Sequence, residues 1–141
     1  MSNLTPDQIA PRTGRAIALA IGMMLLVQAG YMVLDLALRK LVGSYVGEVG
    51  LTFITALLLG LGAFIGINRA CVRYPFADRS AILATLVGVA VVFGAIGLAS
   101  GAGLASFAVA FAIHGGYTLA QIIGGWIAVH RSPRRDWSTR W

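Results

Sequence analysis

Asn68–Ser80 reads NRACVRYPFADRS, a short polar run with long apolar segments on both sides. Arg69, Arg73 and Arg79 make it basic, Pro75 cannot extend a helix and biases Tyr74 away from helical dihedrals, and Asp78 suits the cap of a new helix. These residues predict a bridge joining two membrane-spanning helices on one side of a bilayer. Working outward from it, the fold class is an all-α membrane protein of four transmembrane helices in two hairpins.

The composition agrees with that reading. A chain of 141 residues has room for one domain, 1–141, and 58% hydrophobic with 11% charged residues is not the make-up of a soluble globule. The net charge of +6 would suit nucleic acid, but the arginines sit at the ends of apolar segments and form no groove or helical face. Anionic lipid headgroups are therefore the expected partner, and nucleic acid is not. Cys71 is the single cysteine, which excludes an internal disulfide and a cysteine-based metal site.

Before the bridge, Thr5-Pro6-Asp7-Gln8 has the pattern of a helix start, and an interfacial turn or two ending near Pro11 is expected. Arg12 and Arg15 then precede a first span over 16–38, which is too long for a signal peptide and has no small-x-small cleavage site. It stops at Arg39-Lys40, and the glycine-rich link 42–50 leads into a second span over 51–67. Beyond the bridge, a third span over 81–98 and an uncharged turn at 100–103 lead to a fourth over 105–129.

Orientation follows from lysine and arginine near the span ends, because these resist translocation. Nine lie in the N-terminal tail, the bridge and the C-terminal tail, against two (Arg39 and Lys40) in the loops of the other side. Both termini are therefore expected in the cytoplasm of a bacterium, with the protein in its inner membrane. Trp126, Trp137 and Trp141 fall at the same interface, where amphipathic rings prefer to lie.

The second span ends in R-x-P-x-x-D at Arg73–Asp78 and the fourth in the same pattern at Arg131–Asp136. An internal repeat related by an axis along the membrane normal would give this. So would ordinary helix-end chemistry, which favours arginine, a proline stop and a capping aspartate.

The most regular pattern is in the fourth span: Ala112, Gly116, Ala120, Gly124 and Ala128, a small residue at every fourth position. Residues four apart share a helical face, so another helix backbone is expected in this groove, from this chain or from a partner. Gly62 and Gly66 give the second span one GxxxG, and Gly97 and Gly101 another at the end of the third.

Polar residues inside spans are costly and for that reason informative. Gln28, Tyr31 and Asp35 share one side of the first span, and His114, Thr118 and Gln121 fall at i, i+4 and i+7 on the fourth. Counting in from the ends puts His114 level with Gln28 to Tyr31. Two readings of the set compete. A carboxylate and a histidine facing each other would suit a proton relay or a cation-coupled site. Alternatively, Asp35 pairs with Arg39 one helical turn away and His114 makes one interhelical hydrogen bond, with Gln28 as a partner. Haem is not expected within one chain, since His114 and His130 lie about 24 Å apart at helical rise. No nucleophile elbow, zinc-protease motif, phosphate loop or carboxylate pair within one span is present, so neither an enzyme nor a cofactor is expected.

Arg73, Pro75, Asp78 and Arg79, set as R-x-P-x-x-D-R between a glycine-rich second span and an apolar third, resemble a group of small four-span bacterial inner-membrane proteins of uncharacterised function. Asp35 and Asn68-Arg69 are similar to elements of the GtrA-like flippases, although the matching asparagine of their second half has no counterpart. The first expectation is a non-enzymatic accessory subunit of an inner-membrane complex, packing through small-residue faces with a partner or a second copy. The other is a small transporter or flippase using Asp35 and His114. A transporter should gather Gln28, Asp35 and His114 around a cavity, and a packing subunit should scatter them.

Overall fold

The structure, a computed structural model, describes residues 6–41, 43–101 and 107–132, with the side chains of 6–9, 39, 43–46, 48 and 101 left out. The described residues form four helices: α1 (Pro6–Leu41), α2 (Gly43–Arg73), α3 (Arg79–Gly101) and α4 (Phe107–Arg131). Each contains a stretch long and apolar enough to cross a membrane: Ala10–Leu38, Val49–Arg73, Arg79–Ser100 and Phe107–Arg131. At about 1.5 Å per residue even the shortest, of 22 residues, exceeds a hydrocarbon core of about 30 Å. The regular structure of the described residues is thus all-helical, and the chain has the make-up of a multi-pass membrane protein.

Three boundaries differ from expectation. Pro11 lies inside α1 instead of ending a separate turn. It falls within the second turn, where a missing N–H removes a single hydrogen bond. The link before the second span is itself helical, with a kink at Gly47 (φ 68°, ψ 172°), a backbone region that glycine enters without steric cost. The second helix also runs to Arg73, which shortens the bridge and puts exposed Arg73 on the last turn, where a cation complements the helix dipole, with Arg69 exposed one turn earlier.

The bridge itself is a turn. Tyr74 N–H donates to the Ala70 carbonyl at 3.0 Å and Ala77 N–H to the Tyr74 carbonyl at 3.0 Å, with Pro75 following where α2 stops. Asp78 caps α3: its Oδ1 accepts from the Ser80 N–H (2.9 Å) and the Ser80 hydroxyl (2.6 Å). Those bonds favour the carboxylate and hold the Asp78 carboxyl below its ordinary range. Arg79 reaches across to α4 and donates to the carbonyls of Val129 (2.9 Å) and Ser132 (3.0 Å), which have no partner within a helix that is ending. Ser132 is buried, with its hydroxyl 2.9 Å from Asn68 Oδ1 on α2 and 2.7 Å from the Ala128 carbonyl. On the α1 side, the Asp78 N–H donates to Thr13 Oγ1 at 3.0 Å and the Arg12 guanidinium lies 5.7 Å from the Phe76 ring centre. All four helices are therefore fastened to one another at the bridge end.

The helices pack as a ring in the order α1, α2, α4, α3, and α2 with α4 forms the most extensive interface. At its narrowest point two backbones meet: a Cβ added to Gly124 would run into the Gly60 carbonyl, and one added to Gly60 would lie 2.9 Å from the Ala120 carbonyl oxygen. Gly60 and Gly62 are two residues apart, about 200° around the helix. Accordingly Gly60 faces α4, whereas Gly62 and Gly66 face Val27 and Met23 of α1. A two-fold axis along the bundle would put each helix diagonal to its counterpart. Here α1 lies beside α3 and α2 beside α4, so the R-x-P-x-x-D repeat is not expressed as symmetry of the bundle.

The packed core lies toward the bridge end, built from Ala16, Ala20, Met24, Ala63, Ile67, Ile82, Leu86 and Ala128 among others. Among the described residues, α1 has none buried beyond Met24 and α3 none beyond Ala90. In the far half α1 and α3 are loosely packed, while Leu51, Thr55, Leu59, Ala110 and Tyr117 of α2 and α4 stay buried, and the cavities described below lie there.

Candidate intramembrane cavity

The far half contains a cavity of about 420 Å³, lined on α1 by Gln28 and Tyr31 and on α4 by His114, Tyr117, Thr118 and Gln121. Apolar side chains such as Leu59 of α2 and Phe93 of α3 complete its wall. Spacing explains the α4 contribution: four residues at i, i+3, i+4 and i+7 lie on one side of a helix and turn inward together. Gln28 Nε2 donates to Gln121 Oε1 at 2.8 Å, a bond spanning the diagonal of the ring, where α1 and α4 otherwise make little contact. Gln121 is buried, and the amide pair forms a polar floor between the cavity and the packed half.

Gln28 is thus bonded to Gln121, and the expected Gln28–His114 bond is absent. His114 turns toward α3 instead, lying over Gly97 so closely that any side chain there would collide with its Nδ1. Thr118 sits over Gly94 in the same way, with its hydroxyl 2.9 Å from the His114 carbonyl and 3.4 Å from the Ala90 carbonyl. Two glycines of α3 therefore make the room that two polar side chains of α4 occupy. Tyr117 meets the edge of Tyr31 (centroids 5.8 Å, 65°) and of His114 (5.8 Å, 89°), joining the two helices through three rings. His114 and Thr118 also line a groove of about 350 Å³ between α3 and α4.

Asp35 does not join this group. It lies between α1 and α2 in a separate cavity of about 310 Å³ with Thr55 and Tyr31, and its expected partner Arg39 falls among the side chains not described. The small-residue row of α4 is divided as well. Ala120, Gly124 and Ala128 lie in the packed half, whereas Ala112 and Gly116 are exposed, with nothing within 4 Å of a Cβ added at Gly116. Crossing helices turn a given face toward one another only over a limited length, and this row leaves the interface beyond Ala120.

Gly60, Gly94, Tyr117 and Thr55 are the structurally important residues that sequence reasoning missed. Gly60 stands out only once α2 is known to have neighbours on two sides. Among the described residues no three histidine, cysteine or carboxylate side chains gather to hold a metal ion. Replacing Gln28 with leucine should cost about 0.6 kcal/mol, the mean for interhelical hydrogen bonds in lipid, and no more than about 1.7 kcal/mol. Chemical denaturation in mixed micelles measures this, and a larger loss would mean that Gln121 finds no substitute partner. Comparisons with protein-family models, curated proteins and solved structures find no match to this chain.

Proposed function

We propose that the protein is a small, non-enzymatic carrier of the bacterial inner membrane, with the bridge and both tails in the cytoplasm, and that its central cavity receives a small amphipathic solute from the other side. The observation that carries this reading is the gathering of Gln28, Tyr31, His114, Tyr117, Thr118 and Gln121 around one space on the far side of the packed half. Mostly apolar walls above a polar floor suit a solute with an apolar body and a hydrogen-bonding head. Orientation rests on the nine-to-two distribution of basic residues.

Solute entry requires water to reach the cavity, and a thiol reacts as its thiolate only where water can reach it. In a Cys71→Ser background, cysteines placed at Tyr117 and Gln28 should react with a membrane-impermeant maleimide added outside intact cells. One placed at Ala20, in the packed half, should not. Protection of Tyr117→Cys and Gln28→Cys under all conditions would sink the carrier reading.

A second reading, an accessory subunit of an inner-membrane complex or a homo-oligomer, is favoured by Ala112 and Gly116. These form an open continuation of the row that α2 occupies further along. It predicts that Gly116→Leu abolishes co-purification of a partner while leaving maleimide reactivity at Tyr117→Cys unchanged.

A further inference from the structure

The polar side chains around the central cavity have hydrogen-bonding capacity to spare, and most of it is donor capacity. Gln121 is 3% exposed, and its Oε1 accepts from Gln28, which leaves the two N–H groups of its amide without a partner among the described residues. Tyr117 is 6% exposed and touches Tyr31 and His114 through its ring, and its hydroxyl likewise has no partner among the described residues. The same holds for the ring nitrogens of His114. Polar groups left in this state in so buried a setting are rare, and these three side chains line one space.

Charge narrows what could occupy that space. No aspartate, glutamate, lysine or arginine lines the cavity, and α2 and α3 bring no titratable side chain to it or to the adjoining groove between α3 and α4. Besides His114, the titratable groups on the wall are the phenols of Tyr31 and Tyr117, and phenols as a class titrate well above neutral pH. Asp35 lines the neighbouring cavity between α1 and α2, together with Thr55, whose buried hydroxyl has no hydrogen-bond partner. His114 is therefore the one group on this wall of a type that changes charge near neutral pH, and the change open to it is the gain of one positive charge. Net charge within a membrane span is costly, so the solute that matches a protonated His114 carries one negative charge.

Building on the carrier reading, we infer that the central cavity takes a small carboxylate with an apolar body, and that one proton enters with it onto His114. The proton comes from water and converts the imidazole to imidazolium, while the carboxylate stays ionised and forms no covalent bond. Its two oxygens offer about four lone-pair sites, enough to accept from the imidazolium, the Gln121 amide and the Tyr117 hydroxyl together. Leu59, Phe93 and Ile96 supply the apolar wall for the body of the solute. An ammonium head would meet donors and no counter-charge. A phosphate monoester, with about −1.5 to −2 charges at neutral pH, would leave charge uncompensated within the span.

The test is calorimetric titration of the full chain in detergent with three probes of similar shape: benzoate, benzamide and benzylammonium. Each is measured in two buffers of different ionisation enthalpy, which reports the protons taken up. Benzoate should bind saturably with uptake of a proton, and its affinity should fall as pH rises, by up to about tenfold per pH unit. Benzamide and benzylammonium should bind more weakly and without uptake. His114→Gln keeps a donor and removes the proton acceptor, so it should abolish the uptake and weaken benzoate by about tenfold or more, the weight of a hydrogen bond to a charged group. Tyr117→Phe should weaken benzoate but keep the uptake, and it decides if His114→Gln does not fold. Benzylammonium binding as tightly as benzoate, benzoate binding without proton uptake, or no benzoate binding at all would overturn the inference. So would uptake that persists in His114→Gln, or full affinity in Tyr117→Phe. None of these results alters the maleimide reactivity on which the carrier reading stands, so the two can fail separately.

Discussion

Gly124→Leu is expected to lower stability in detergent by about 1–3 kcal/mol, the usual range for overpacking a well-filled site, and by more if the helices cannot separate. The first atom of any side chain at this position meets the Gly60 carbonyl, which is backbone and cannot rotate away. Relief therefore requires α2 and α4 to move apart. Dispersion contacts around Ala120 and Ala128 weaken with them, and dispersion is a principal attraction between helices already surrounded by lipid. Gly124→Ala should also destabilise, by less. Gly116→Leu, eight residues away at an open position, should leave the isolated protein unchanged. Thermal unfolding of the three variants in one mild detergent checks the order, and a Gly124→Leu protein as stable as the wild type would mean that the two backbones are not in contact.

Arg79→Met should be the next most damaging change, at about 1.5–3 kcal/mol, the range for hydrogen bonds to a charged group. The substitution keeps an unbranched side chain of similar reach but leaves the carbonyls of Val129 and Ser132 without the donor that closes α4. Arg79→Lys should fall between methionine and wild type, since an ammonium is a compact point charge and cannot reproduce the planar fork. An Arg79→Met protein as stable as the wild type would show that solvent replaces the guanidinium freely, contrary to its partly buried setting.

Much of this architecture was legible in the residues because lipid leaves a chain few options. Four apolar stretches of sufficient length, a proline stop after Arg73 and a capping aspartate before Arg79 are local signals, and the ends of the membrane-crossing stretches fall within about six residues of the positions they imply. Helix partners were less legible. The row in α4 signals that something lies against it, but Gly60 is one glycine among many, and only the crossing of α2 and α4 singles it out. The polar set was found residue by residue, yet its grouping was not. Gln28 and Asp35 are seven residues apart on one face of α1, but a slight rotation decides that the first turns toward α4 and the second toward α2. Thr55 carries no sequence signal, because its significance is a hydrogen bond that it does not make.

A bundle fastened at one end behaves as a set of levers. Thr13, Asn68, Asp78, Arg79 and Ser132 pin the four helices together at the bridge, and the burial of α1 and α3 stops about halfway along them. A helix about 35 Å long that pivots about its pinned end by about 5° carries its free tip roughly 3 Å sideways. Beyond Met24 and Ala90 such a swing is resisted chiefly by His114 over Gly97, Thr118 over Gly94 and the Tyr31–Tyr117 ring pair. The mouth of the bundle can therefore change width while the packed core at the bridge end moves little.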